Sequence, residues 1–418
     1  LCIEADSQIR GQLMPDRSFL RWPFFENRHQ QLATEFGAWT ASEIAPIAAA
    51  EPRGADLDAA CVAIVRQLGM AGWLRNAVTS DHGGLSETLD VRSLCMMREI
   101  LAYHSGLADF VFALQALGAG PITLFGSDDL KRRYLPRVAS GKSIAAFAIS
   151  EADAGSDVGA MRTVARRDGD NYIINGEKAW ISNAGIADFY VVFCRLADAG
   201  DRSYVALVVD ASTPGLTVSA RAEVIAPHPI GTISFSGCSV PASSIVGTAG
   251  KGMSIALGTL DVFRATVAAA ALGLARRALH ESLTHVTKRR VFGAPLSDMQ
   301  ITQARIARMA TDIDASAMLT YRAAWEHDSG AARVTREAAM AKWYATEAAQ
   351  TAADSAVQLL GGRGVVAGSA AERLYREVRA LRIYEGTSEI QQLVIATQVL
   401  AQFRTDIATA TTKERDDD

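Results

Sequence analysis

The sequence predicts an α+β protein of three parts: an N-terminal α-helical domain, a middle β-sheet domain and a C-terminal domain built like a four-helix bundle. From about Phe24 to Ser140 the apolar residues recur at three and four, the helical period. Between Lys142 and about Pro241 they fall into short or alternating runs bounded by Gly, Asp, Ser and Pro. After Gly250-Lys251-Gly252 the helical period returns in Ala-rich sequence. The expected domains are residues 1–141, 142–250 and 251–404, with 405–418 as a disordered polar tail that has nothing to bury. At 418 residues, 49% of them hydrophobic, the chain can bury a core of several layers.

In the first part, Leu32, Phe36 and Trp39, then Leu94, Met97, Ile100 and Leu101, hold the spacing of a helix face. Pro46 and Pro52 are expected to end one helix, Asp81-His82-Gly83-Gly84 to form a loop, and Gly126-Ser127-Asp128-Asp129 to cap Leu130–Tyr134. The strand candidates are Ile144–Ile149, Tyr190–Cys194, Tyr204–Val209 and Thr232–Phe235. Asn175-Gly176 tolerates positive φ angles and predicts a tight hairpin turn between Tyr172-Ile173-Ile174 and Lys178-Ala179-Trp180-Ile181. Helices follow near Met253–Thr287, Met299–Asp328, Arg333–Leu360, Ala370–Ile383 and Thr387–Gln402, and several long antiparallel helices imply a bundle.

A formal charge of −4 without long basic stretches argues against nucleic acid as a partner. Cys2, Cys61, Cys95, Cys194 and Cys238 form no C-x-x-C, which fits a reduced cytoplasm. The longest apolar run, around Ala265–Ala275, is closed by Arg276 and Arg277 and falls short of the roughly 20 residues of a membrane span. Leu1–Asp16 carries Glu4, Asp6 and Arg10, not the pattern of a secretory signal. The histidines show no paired metal spacing, so no metal site is expected.

Four stretches carry residues with chemistry. Phe147–Asp157, with Ile149, Ser150, Gly155 and Ser156, reads first as a strand running into a turn, a common feature of any sheet; its free N–H groups and hydroxyls can also hydrogen-bond a flavin edge or a phosphate. Trp180-Ile181-Ser182-Asn183 ends a strand with an aromatic face beside a small hydroxyl, and a lone Trp is more often core than contact. About thirty residues and a turn separate these two stretches, so neighbouring strands can present both ends to one ligand. Arg289-Arg290-Val291-Phe292-Gly293 with Gln300, and Gln358 with Gly361-Gly362, read as helix ends, yet a cation and glycine-exposed amides also suit a pyrophosphate. In Arg382–Ile390 a helix start explains Thr387, Ser388 and Glu389 but leaves Tyr384-Glu385-Gly386 without a purpose. Gly386 allows close approach of backbone to a ligand, and Glu385 projects from a break between helices.

In this order, E-x-x-A-G-S-D, W-I-S-N, R-x-x-F-G, Q-x-x-G-G and I-Y-E-G-T-S-E-I resemble the acyl-CoA dehydrogenase family, from about Phe24 to Arg404. The resemblance implies FAD as cofactor and α,β-dehydrogenation of an acyl-CoA thioester to the trans-2-enoyl-CoA. Glu385 would take the α-proton while the β-hydrogen leaves as hydride to flavin N5. The enolate-like oxygen would be held by the Glu385 N–H and a ribityl hydroxyl. It implies that Phe147, Ile149, Ser150, Gly155 and Ser156 line the flavin and pyrophosphate, that Trp180 and Ile181 flank the ring, and that Ser182 sits near N5. Arg289, Phe292, Gln300, Gln358, Gly361 and Gly362 would reach the adenosine side of FAD on a neighbouring subunit, with Thr387 and Glu389 also toward FAD. This requires at least a dimer, and a dimer or a dimer of dimers (a homotetramer) is expected. Ser156, Asp261, Arg264 and Gly386 would face the thioester and pantetheine, although a structural ion pair explains Asp261 and Arg264 equally well.

Some members of the family carry the base where this chain has Phe263, which cannot accept a proton, so Glu385 stands unopposed. Departures are Ala152 for a usual proline, Val291 for a hydroxyl and Glu389 for Gln. Leu107-Ala108 lacks the arginine that holds a distal carboxylate in glutaryl-specific relatives, while Phe110 and Phe112 either narrow the acyl pocket or pack the core. Electron-transferring flavoprotein is the acceptor the resemblance implies. The alternatives are an oxygen-using oxidase, a carrier-protein-thioester dehydrogenase, and a non-catalytic assembly protein, which would be expected to have lost its base.

Overall fold

The computed structural model describes residues 16–416 except 49, 50, 198 and 201; of Leu1–Asp16, read above for a secretory signal, only Asp16 is among them. Helix α1 (Asn27–Trp39) buries Phe36 and Ala33, as its spacing requires. Pro46 does not end it: a π-type turn, Thr40–Ile44, leads into a further turn, Ala45–Ala48. Pro46 follows directly on the π-type turn, whose wider hydrogen-bond spacing is a local irregularity of the kind that accommodates a proline within a helical run. Helices α2 (Gly54–Met70), α3 (Val91–His104), α4 (Gly106–Phe125) and α5 (Asp128–Ala139) complete the first part. As expected, Ser127 caps α5, its side chain accepting from Leu130 N.

Eight strands follow: β1 (Ala145–Ala148), β2 (Val164–Asp168), β3 (Asn171–Ser182), β4 (Phe189–Leu196), β5 (Tyr204–Asp210), β6 (Leu216–Ala222), β7 (Ile230–Pro241) and β8 (Ile245–Val246). They form one mixed sheet in the order β6-β7-β3-β2-β4-β5-β8, with β1 parallel to β4. The predicted hairpin turn is displaced. β2 and β3 turn at Gly169-Asp170, where Asp168 faces Asn171, and Asn175-Gly176 lies within β3 at a register shift against β7. Gly176, at φ +134°, forms part of a bulge where a Cβ would stand 2.7 Å from Thr163 Cα. Positive φ and small size suit a bulge as well as a turn, so the dipeptide alone did not separate them.

The third part comprises α6 (Gly252–Lys288), the two-stranded β9 (Arg290–Val291) and β10 (Ala294–Pro295), α7 (Gln300–Asp328), α8 (Thr335–Leu360), α9 (Ala370–Arg379) and α10 (Ser388–Asp416). A 3-10 turn, Ala380–Arg382, replaces the end predicted for α9. α10 continues to Asp416 through positions where a structureless tail was predicted from composition. Extending an existing helix avoids the cost of nucleation, and Ala408, Ala410, Lys413 and Glu414 are good helix formers.

α6 packs against α3, α4, α7 and α8 as well as β4 and β5, and α4 lies on β1, so helices flank the sheet's buried strands. At Gly273 a Cβ would stand 2.2 Å from Glu99 O, which lets α6 and α3 meet backbone to backbone. α4 and α6 are both long and apolar enough to cross a membrane, with 89% and 78% of their apolar windows buried inside the protein. The sequence reading overlooked α4, where Asp109 is the single charge in 20 residues.

Candidate functional site

Glu385 stands between the 3-10 turn and α10. Its backbone is at φ +53° and that of Gly386 at +85°. A left-handed residue bearing a side chain costs about 1–3 kcal/mol and persists only where its surroundings impose it. Lys342 Nζ donates to Gly386 O at 2.6 Å, and Gln391 Nε2 donates to Glu385 O at 3.2 Å and to Gly386 O at 3.0 Å. Glu385 is half-buried, and its Oε2 is buried with no protein hydrogen-bond partner. Burial pushes this carboxyl up to about 7, against the pull of Arg98, Lys342 and Arg264, with Asp109 adding to the rise.

The neighbours of Glu385 come from four helices. Arg98 of α3 donates to both carboxylate oxygens of Asp109 on α4, at 2.8 and 2.9 Å, and to Thr266 Oγ1 of α6 at 2.9 Å. Lys342 of α8 is fully buried, and burial brings its ammonium down to about 8. Asp261 and Arg264 on α6 pair with each other at 2.5 Å, and Thr335 Oγ1 donates to Asp261 at 2.7 Å. The ion pair left open by the sequence is therefore formed. Phe263 is buried against the space left by Gly120.

On the sheet side, Ala179 N donates to Ser150 O at 3.0 Å and ties the loop after β1 to the end of β3. Buried Lys178 donates to Ile149 O at 2.9 Å and to Glu151 at 2.8 Å; Glu151 also accepts from Arg162 N and Thr163 N, at 2.6 and 2.9 Å. Burial opposes charge on Glu151, yet Lys178 and these N–H donors hold its carboxyl below the usual range. Gly155 and Ser156 are exposed at the loop tip. Phe147 packs in the sheet core on Phe193, ring centroids 4.8 Å apart, and Ile149 and Ile181 are buried. Trp180, at φ +61°, lies at a second register shift in β3 and is 59% exposed. Ser182 Oγ is 3.0 Å from His228 Nε2, and the His228 ring lies on Phe110 of α4 with centroids 3.4 Å apart. Asp109 and Phe110 are consecutive, so the first turn of α4 reaches toward Glu385 with one side chain and toward the Ser182 end of β3 with the next.

A third group surrounds a cleft of about 980 Å³ whose lining brings Arg289 together with Gly361 and Gly362. Gln300, Gln358 and Phe292 are exposed and do not line it; Phe292, at φ +48°, is 98% exposed. Thr387 Oγ1 accepts from Ile390 N at 3.3 Å, the helix-start reading, and Glu389 is exposed. The described non-glycine residues at positive φ are Glu51, Trp180, Asn183, Phe292 and Glu385, and four of these lie in the stretches singled out from sequence.

Arg98, Lys342 and His228 belong to no motif and were missed. For Arg98 after Met96-Met97, and Lys342 within Ala338–Ala345, the available signal was a charge on an apolar helix face. An exposed indole, open loop backbone at Gly155, and a cation beside two glycines suit a flat cofactor with a charged pyrophosphate.

Family models of the acyl-CoA dehydrogenase N-terminal, middle and C-terminal domains match residues 26–142, 146–238 and 250–400. The chain is 37% identical over 380 residues to the short-chain specific acyl-CoA dehydrogenase, mitochondrial, of Homo sapiens, covering 90% of this chain and 91% of that protein. It is 35% identical to cyclohexane-1-carbonyl-CoA dehydrogenase of Geobacter metallireducens, covering 86% and 94%. Its structure is similar to that of an acyl-CoA dehydrogenase complexed with FAD from Bacillus anthracis, with a TM-score of 0.84 and 26% identity over 94% of this chain and 72% of the other. With three successive domain matches and a helix–sheet–helix architecture to carry them, the chain belongs to the acyl-CoA dehydrogenase family of FAD-dependent oxidoreductases.

Proposed function

We propose that Glu385 removes the α-proton of an acyl-CoA thioester, giving the trans-2-enoyl-CoA. One observation carries the reading: a carboxylate on a strained backbone whose buried Oε2 has no protein partner, held by Lys342 and Gln391 through the backbone around it. A structural carboxylate would be expected to use that oxygen. Burial also makes Glu385 a stronger base than an exposed carboxylate, which suits a weakly acidic carbon. FAD, when bound, supplies an acceptor for the hydrogen leaving the β-carbon with its electron pair.

The chain's own groups bind and orient. Trp180 offers a face to the flavin ring, Ser182 a hydroxyl to its edge, and Gly155 and Ser156 open backbone to the pyrophosphate. In this reading the Glu385 N–H donates to the thioester oxygen as that oxygen gains charge. Arg264 is buried beside the base with its Nε unpartnered, and supports the site's charge from the Asp261 pair. Arg289, Gly361 and Gly362 form the cleft for the adenosine side of FAD shared with a second subunit, and electron-transferring flavoprotein takes the electrons. Buried thiols at Cys61, Cys95, Cys194 and Cys238 fit a reducing compartment such as the cytoplasm.

Anaerobic mixing of the flavin-loaded protein with a panel of acyl-CoAs tests this by bleaching of flavin absorbance. Glu385→Gln should retain FAD and slow bleaching by about 10²–10⁴-fold, the usual contribution of a positioned base. Unchanged bleaching in that variant would remove Glu385 from the mechanism.

A further inference from the structure

His228 lies in Ala226-Pro227-His228-Pro229, just before β7, and no motif includes it. Prolines on both sides restrict the backbone, and Pro229 O accepts from Asn183 N at 2.7 Å. The next contact along is Ser182 Oγ with His228 Nε2, at 3.0 Å. Two successive residues of the loop thus meet two successive residues at the end of β3. Phe110 covers the imidazole from the helix side. Burial alone pushes the ring down to about 3, so it is neutral at physiological pH and carries one N–H.

A neutral imidazole opposite a hydroxyl allows two arrangements. With Nε2 bare, it accepts the Ser182 O–H and leaves an Oγ lone pair for another donor. With Nε2 protonated, it donates to Oγ and leaves the Ser182 O–H for another acceptor. Flavin N5 accepts a hydrogen bond when oxidised and donates one when reduced, so a hydroxyl held in one orientation beside it stabilises one redox state more than the other. We propose that His228 is a positioning residue that, through one held tautomer, fixes which way the Ser182 hydroxyl faces the flavin and so favours one redox state over the other. This rests on the reading of Ser182 as a flavin contact.

The test is the flavin midpoint potential of the FAD-loaded protein, measured by anaerobic reductive titration without any acyl-CoA. His228→Phe keeps a ring against Phe110 and removes both nitrogens, while His228→Gln restores an amide. His228→Phe should change the oxidised-to-reduced ratio at least tenfold, about 30 mV for a two-electron couple, and His228→Gln should recover part of it. In a Ser182→Ala background the His228→Phe shift should vanish, which a purely structural effect would not do. Equal potentials for wild type and His228→Phe, or the same shift without the Ser182 hydroxyl, would overturn the proposal. Should His228→Phe lose FAD, His228→Gln with and without Ser182→Ala decides: a shift only with the hydroxyl present supports it, and any other result overturns it. Failure of every acyl-CoA to bleach wild-type flavin would count against the substrate reading alone.

Discussion

Glu385 combines an unfavourable backbone with an unfavourable side-chain environment, and the groups that impose both can be named. Lys342 acts on each: its ammonium holds Gly386 O, and its charge draws the Glu385 carboxyl down from where burial would put it. Proton removal needs the carboxylate, so bleaching rates should fall about tenfold per unit as pH drops below about 7, and level off above it. Lys342→Met removes a cation, so the Glu385 carboxyl should rise further and this acid limb should move to higher pH. A pH series of stopped-flow rates for both proteins checks it; an unmoved limb would show that Lys342 matters only as a backbone clamp. Glu385 was legible because Tyr384-Glu385-Gly386 had no place in a helix start. Lys342 was not, since which face of an Ala-rich helix meets the break depends on packing against α10, a tertiary fact.

Among the elements, β3 shows where local chemistry stops being sufficient. Its strand residues could be read from pattern, whereas the place of the chain reversal could not, because Asn175-Gly176 and Gly169-Asp170 both satisfy a tight turn. What decides is the partner: β7 runs the length of β3 and accepts Asn175-Gly176 as a bulge, with Gly237 N donating to Asn175 Oδ1 at 2.7 Å. A second tertiary device, the Lys178–Glu151 pair, fixes the loop after β1 to β3 in a setting where either charge alone would be expensive. Glu151→Ala leaves the Lys178 ammonium buried without its carboxylate and should cost about 3–5 kcal/mol in denaturant unfolding, with weaker FAD retention. The sign of the pH dependence follows from the depressed Glu151 carboxyl. Its contribution is present above the ordinary carboxylate range and disappears as pH falls through its own lowered value. The stability difference between wild type and Glu151→Ala should therefore narrow in acid; a constant difference would place the effect in packing.

For the whole molecule, the exposed apolar residues matter more than the buried ones. Phe292 stands out at positive φ on the short β9–β10 hairpin, and Ile301, Val365, Leu393, Leu400 and Phe403 are each more than half exposed. A large side chain held in a strained conformation toward solvent is poorly explained by one subunit, and the Arg289–Gly361–Gly362 cleft begins a few residues from it. Both are accounted for if Phe292 seats against a second copy and completes the adenosine side of an FAD shared between subunits. Phe292→Asp should then shift the protein toward a smaller species in light scattering and lower bound flavin per chain at least tenfold, with the helical signal unchanged, because the side chain supports nothing within its own subunit. An assembly of unchanged size that still loses FAD would make Phe292 a direct flavin contact. Full flavin in a dissociated chain would show that one subunit suffices to hold the cofactor.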